Sequence, residues 1–263
     1  MEGLGRLSSR VRNEFAGRIA GAARIALWVS VAAGVNYTIG AMSPSAESQF
    51  KSLPTAYAMP LNGGLSADGF PEDSSWKEAY AIQFDWDWQG RNADPQRETE
   101  VRVLWSAETL FLRFRAHYRE VYVFPDARPG GWRDELWERD VAEAFLQPDE
   151  SDPLVYKELE VSPNGFWIDL DISHGQRAEM HSGLRRRVTL DEKSRTWTAE
   201  LALPMKSLTN RFDSRKQWRV NFYRVEGHKE PRFYSAWSPT MSAMPNFHVP
   251  EAFGVLEFRD ERK

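Results

Sequence analysis

Val101-Arg-Val-Leu-Trp105-Ser-Ala-Glu-Thr109-Leu-Phe-Leu-Arg-Phe-Arg-Ala-His117 is the stretch that decides the fold class. Val101, Val103 and Trp105 recur at every second position, and Ser106 to Thr109 supply a turn. Leu110, Leu112, Phe114 and Ala116 then share one face, opposite Phe111, Arg113, Arg115 and His117. A period of two predicts a β-hairpin with one core face and one wet face.

The same pattern continues outward. Asn62-Gly-Gly64, Asp68-Gly69, Arg128-Pro-Gly-Gly131 and Pro163-Asn-Gly165 are turn signals. Between and beyond them, residues 141–147, 156–162, 166–172, 185–190, 196–202, 217–225 and 253–258 read as short strands. Residues 74–80 and 204–210 read as short helices. Evenly spaced strands with few helices predict an all-β fold, an antiparallel β-sandwich of two sheets with a few short helices. No internal repeat or second linker divides residues 46–263, which are expected to form one domain.

Residues 1–45 are of another kind. Arg6, Arg10, Arg12, Arg18 and Arg24 precede an uncharged stretch over residues 25–46, whose most apolar part is the 11 residues from Ile25 to Val35. A basic leader, a short apolar core and small residues at Gly40-Ala41 match a signal peptide with a short linker, and predict a secreted or periplasmic protein. The run is shorter than the ~20 residues of a comfortable membrane span. A retained N-terminal anchor is the alternative, and the only membrane attachment expected. Removing residues 1–41 subtracts five Arg and two acids from 34 basic and 38 acidic residues, leaving 29 against 36.

Composition narrows the function classes. The 263 residues include 11 Trp, 8 Tyr and 15 Phe, too many rings for a disordered chain, and no Cys. The lack of Cys excludes zinc–thiolate sites, iron–sulfur clusters, disulfide frameworks and Cys nucleophiles. A net charge of −4 without a basic stripe argues against a nucleic-acid partner. Among His117, His174, His181, His228 and His248 there is no close metal-ligand spacing, and His248 between Phe247 and Val249 reads as a hydrogen-bonded structural residue. No Ser-His-Asp arrangement or phosphate-cradling loop is visible.

Two segments combine rings with polar groups. In Glu135-Leu-Trp137-Glu-Arg-Asp140-Val-Ala-Glu143-Ala-Phe145-Leu, alternation puts Asp140, Ala142, Ala144 and Leu146 on one face. Val141, Glu143 and Phe145 fall on the other. A mid-strand acid requires a wet face or a partner. Trp137 lies just before the strand, and an indole beside a carboxylate suits the C–H faces and hydroxyl rims of a sugar. A core Trp and a solvated Glu are the alternative. In Trp218-Arg-Val-Asn221-Phe-Tyr223-Arg224, Asn221 is a poor strand former and calls for a specific partner. Arg224 falls on the opposite face from Asn221 by alternation. Trp237, before a Ser-Pro turn, is read either as a lid over the core or as a binding platform.

The ordered set Asp68-Gly69, Trp76-Lys-Glu-Ala79, Leu136-Trp137 … Glu143-Ala-Phe145, Tyr156-Lys-Glu158, Trp197-Thr-Ala-Glu200, Asn221-Phe-Tyr-Arg224 and Trp237-Ser-Pro-Thr240 … Phe253-Gly254 resembles family 9 carbohydrate-binding modules and their DOMON-like sandwich relatives. The resemblance covers residues 60–260 approximately. It implies a non-catalytic carbohydrate-binding protein in which two Trp side chains clamp a sugar, such as a chain end, with Trp137 as first plate, Glu143 as its polar partner and Trp237 as second plate. It further implies that Asn221 and Arg224 line the slot. A structural calcium is also implied, for which the acidic pairs Asp85/Asp87 and Asp169/Asp171 are available, although neither pair sits in a loop with enough oxygen ligands. Two other classes stay open. A glycoside-active enzyme would draw on Glu143, Glu158 and Glu160. A haem or redox module would need an axial His and one of Met205, Met241 and Met244.

Overall fold

The computed structural model describes residues 52–125 and 131–260. The leader and linker expected over residues 1–45 lie outside the described residues. Among the described residues no helix is long and apolar enough to cross a membrane.

The elements are β1 (Thr55–Pro60), α1 (Asp73–Glu78), β2 (Ile82–Phe84), β3 (Thr99–Trp105), β4 (Thr109–His117), β5 (Val141–Gln147), β6 (Val155–Val161) and β7 (Trp167–Ser173). They continue with β8 (Gln176–Glu179), β9 (Arg185–Asp191), β10 (Thr196–Pro204), α2 (Met205–Leu208), β11 (Trp218–Glu226), β12 (Phe233–Ala236) and β13 (Gly254–Phe258). The strands hydrogen-bond along one path, β8-β7-β6-β5-β11-β13-β1-β3-β4-β10-β9, with β12 added to β11 and β2 to β3. The expected two sheets are therefore continuous through β11-β13-β1-β3. Pairing between the strands is antiparallel except at β1, which runs parallel to both β13 and β3.

The path curls so that its two arms share a core. Ala142, Ala144 and Leu146 of β5 and Val220 and Phe222 of β11 pack into one cluster with Val103, Leu112, Phe114, Trp197 and Leu201. Phe114 and Phe222 meet edge to face at 6.1 Å. The expected hairpin forms with Val103 opposite Leu112. Its outer face is drier than the sequence implies, because Trp76 of α1 covers Leu104 and Phe111. Arg102 reaches up from β3 and donates to the carbonyls of Trp76 at 3.0 Å and Ala79 at 2.7 Å, which closes the C-terminal end of this short helix.

Trp237 belongs to the core. It packs against Phe222 at 5.7 Å and is only 8% exposed. Gly254 makes room for it, since a Cβ there would lie 2.5 Å from Trp237 Cζ3 and 2.6 Å from the carbonyl of Pro54. Backbone on one side and an indole on the other leave little slack. Gly254→Ala is therefore expected to destabilise the fold by about 1–3 kcal/mol, measured by urea denaturation.

Candidate functional site

Strand register builds the floor of a broad cavity. On one face of the β11-β5-β6-β7 region, Tyr223 is opposite Glu143, Glu143 opposite Glu160, and Glu160 opposite Ile168. The next row on that face is Asn221, Phe145, Glu158 and Leu170. Tyr156 extends the row pattern along β6, and the period-2 alternation of residues 156, 158 and 160 sends all three side chains the same way. The opposite face of β5 is Ala142, Ala144 and Leu146, which points into the shared core. All seven residues of β5 are buried.

The walls come from loops. A short turn over Leu136–Glu138 precedes β5, and Glu135 enters it in the left-handed region at φ 56°. Leu136 is fully buried, whereas Trp137 is half-buried and lines the cavity. Arg177 of β8 lies over the Trp137 ring at 4.8 Å. Arg232 donates to the carbonyl of Trp137 at 2.9 Å and to that of Gly227 at 2.7 Å. Across the mouth, Phe247 stacks on Tyr223 at 4.2 Å, and His248 Nδ1 meets Tyr156 Oη at 2.8 Å. The open cavity has a volume of about 870 Å³, within the range of small-ligand sites and large enough for a sugar unit with water.

Glu143, Glu158 and Glu160 are buried together at the bottom, and one oxygen from each lies within 4.8 Å of the others. Burial pushes Glu143 well above the usual carboxylate range, and Glu158 adds to the rise while Arg232 offsets it. Glu160 is raised well above that range by burial and then by Glu143 and Glu158. Glu158 is raised by burial, against the pull of His248, a hydrogen bond shared with Glu160, and Arg177. Burial likewise raises Asp140, whose carboxylate accepts from the backbone N–H groups of Tyr122 and Gly227, each at 2.8 Å. Asp140, immediately before β5, thus has the partners its burial requires, whereas the mid-strand Glu143 does not.

The sequence-derived site separates into two groups. Trp137 and Glu143 line the cavity together. Trp237, Asn221 and Arg224 do not. Trp237 is sealed into the core, so the expected pair of facing Trp plates is not formed; packing against Phe222 and Gly254 is the physical reason. Asn221 is buried as a tie between elements, donating to Tyr223 Oη and the Ser238 carbonyl and accepting from the Ser238 N–H at 2.9 Å. Arg224 lies on the core side, as alternation requires, with its guanidinium 5.1 Å from the Trp197 ring and 3.3 Å from Glu226. Neither residue is available to a slot. The wall residues Arg177, Arg232, Tyr234 and Phe247 were not anticipated from the sequence; only Tyr156 carried a usable signal, its spacing from Glu158.

Among the acids offered for calcium, Asp87 and Asp171 meet donors, and Asp169 does so through one oxygen while its Oδ1 is buried without one. Asp87 accepts from the N–H groups of Gln89 and Arg91 and from the Asn92 amide, which folds a turn around it. Asp171 pairs with Lys157, and Asp169 accepts from the Ser182 N–H. Among the described residues neither pair gathers a third acid or His within ligating distance, which falls short of the six to eight oxygens calcium takes. Met205 is in the core, Met241 and Met244 are exposed, and none of the three lines the cavity with His248.

The described residues thus form a curled β-module with a broad cavity walled by rings and floored by acids. The chain belongs to carbohydrate-binding family 9, whose profile matches residues 84–258. An extracellular protein of Arthroderma benhamiae is 24% identical over 181 residues, covering 62% of this chain and 80% of that protein. A solved Bacteroides uniformis protein superposes with a TM-score of 0.60 at 16% identity, over 78% of this chain and 99% of that one. The family 9 module of Caldicellulosiruptor kristjanssonii, solved with cellotriose, gives 0.56 at 15% identity over 80% of this chain and 95% of that one. Its glucose complex gives 0.54 at 15% identity over 80% and 97%.

The raised carboxyls set a pH dependence. A carboxyl whose folded-state affinity for protons exceeds its unfolded one favours folding below its ordinary range, and that contribution is lost as pH rises through the folded value. From about pH 5 to 8, in buffer free of divalent ions, the wild-type melting temperature is expected to fall relative to that of Glu160→Gln. Parallel melting curves for the two proteins across this range would contradict the assignment.

Proposed function

We propose that this protein binds carbohydrate in the Trp137–Glu143 cavity without turning it over, and that it acts outside the cytoplasm. The observation that carries the reading is one half-buried indole beside a buried acid in a cavity of about 870 Å³. A pyranose laid on Trp137 covers the ring with its C–H face, and its rim hydroxyls then reach Glu143 and Arg232. Arg177, which lines the same cavity, lies over the indole at 4.8 Å and leaves its remaining face and edge to the ligand. Tyr234 and Phe247 supply further apolar wall in place of a second Trp plate. The family 9 neighbour solved with glucose and with cellotriose supports the ligand class, a gluco-configured sugar or chain end.

Arrangement of the acids favours binding over hydrolysis. A glycosidase places two carboxyls on either side of the scissile bond, about 5–5.5 Å or 6.5–9.5 Å apart with the sugar between them. Glu143, Glu158 and Glu160 instead lie side by side on one floor, on the same face of neighbouring strands. A sugar can rest on them but cannot enter between them. The apolar leader and the extracellular fungal relative support export.

Isothermal titration with glucose and cellotriose tests the reading. Trp137→Ala is expected to weaken binding at least tenfold, about 1.4 kcal/mol, with an unchanged melting temperature. No heat with any glycan, or full affinity in that variant, would remove the proposal. Glycan turnover that depends on Glu143 would replace it with the enzymatic alternative.

A further inference from the structure

We infer that Glu143, Glu158 and Glu160 together hold a hard divalent cation of the calcium class on the floor of the cavity. Glu143 and Glu160 are direct cross-strand neighbours, and Glu158 follows on the same face of β6. Like charges placed directly opposite are unfavourable on a sheet unless something lies between them. One oxygen from each carboxyl lies within 4.8 Å of the other two. Calcium–oxygen distances are about 2.3–2.6 Å, so a single ion can touch oxygens roughly 5 Å apart. All three carboxyls are thus within reach of one ion without any strand moving.

An independent observation points to a missing partner. Glu160 is 0% exposed, and apart from the Glu158 carboxyl, which shares a hydrogen bond with it, neither of its oxygens meets a donor from the protein. Glu143 Oε1 is likewise buried without a donor. Buried carboxylates elsewhere in this chain are served differently: Asp140 has two backbone N–H groups, and Glu200 has Arg187. The neighbouring cations are directed away from Glu160. Arg177 reaches Asp134 at 3.3 Å, and Arg232 gives Nε and Nη1 to backbone carbonyls. His248 is turned to Tyr156.

The donor set selects the ion. Oxygen ligands without thiolate suit a hard cation, and calcium accepts the six to eight oxygens that three carboxylates and the water of an open cavity can supply. Places not filled by the protein face the cavity, where ligand hydroxyls can take them. That last step rests on the proposed sugar site; the cation site itself does not.

The test uses the full chain stripped with EDTA and titrated with calcium chloride alone. One calcium per chain is expected, with a rise in melting temperature, and Glu160→Gln is expected to weaken binding at least tenfold. Glu158→Gln is the second variant should the first fail to fold. Terbium luminescence sensitised by tryptophan should report the same site and be displaced by calcium. Absence of heat and of any thermal shift up to millimolar calcium would overturn the proposal in favour of carboxyls neutralised by shared protons. Unchanged affinity in a folded Glu160→Gln protein would overturn it equally. Calcium binding without sugar binding would leave the cation site standing and remove only the carbohydrate reading, whereas sugar binding indifferent to a bound calcium would remove the coordination of ligand hydroxyls.

Discussion

Strand β5 has to satisfy two environments at once, and the rest of the structure is arranged around that demand. One face gives small residues, Ala142 and Ala144, to the core between the arms of the curled sheet. Large rings from the opposite arm, Phe114 and Trp197, fill the space those alanines leave. The other face carries Val141, Glu143 and Phe145 toward the cavity. A carboxylate buried in the middle of such a strand is costly, and no fold keeps one there without partners or a task. Asp140, immediately before the strand, shows the structural solution, with backbone N–H groups aimed at both oxygens. Glu143 lacks that solution. Its direct neighbours across the pairing are Tyr223 and another acid, Glu160, with Glu158 one step along the same face.

This contrast separates the charges that hold the fold from those that face the cavity. Arg224 and Glu226 sit under the sheet, tied to Val141, Arg119 and the Trp197 ring, and removing one partner there would strand the other in low dielectric. Arg187 and Glu200 perform a similar task on the outer face of β10. Their bonds are closed within the protein. Around the cavity the polar groups are incompletely matched, and their disposition is set by structural ties one layer away. Asn221 is the key tie. Through Ser238 and Tyr223 it fixes the chain that continues to Phe247, and so it shapes the rim although it never touches the cavity.

Much of the fold was legible because its strands alternate. Residues 141–147, 185–190 and 196–202 carry a period of two that survives in the structure, as do the two short helices. β1 was missed because Thr55-Ala-Tyr-Ala-Met-Pro60 is short, contains two alanines and ends in proline, a weak strand signal that gains its place only by insertion between β3 and β13. β8 was missed because all four of its residues are exposed and give no apolar pattern. The site was legible where the chain itself carries the information. Trp137 and Glu143 are six residues apart in one continuous segment, and local alternation orients the acid. Arg177 and Arg232 reach the same wall from a sheet edge and a distant loop, a juxtaposition that only the tertiary path creates.

The fate of the aromatic residues explains why a two-Trp clamp was a natural expectation and why it does not form. With 11 Trp in the chain, several must serve the core, and motif order alone cannot assign which. Trp76 and Trp197 are fully buried, and Trp237 joins them because Gly254 opens a space of indole size beside Phe222. Trp137 escapes that fate for a local reason. The turn before β5 can bury one side chain beneath it, and Leu136 takes that position, which leaves the adjacent indole on the cavity side. A single plate then has less apolar contact to offer a ligand than a pair would. For a ligand of the proposed class, the polar floor and cationic walls would then have to supply correspondingly more of the recognition than ring stacking does.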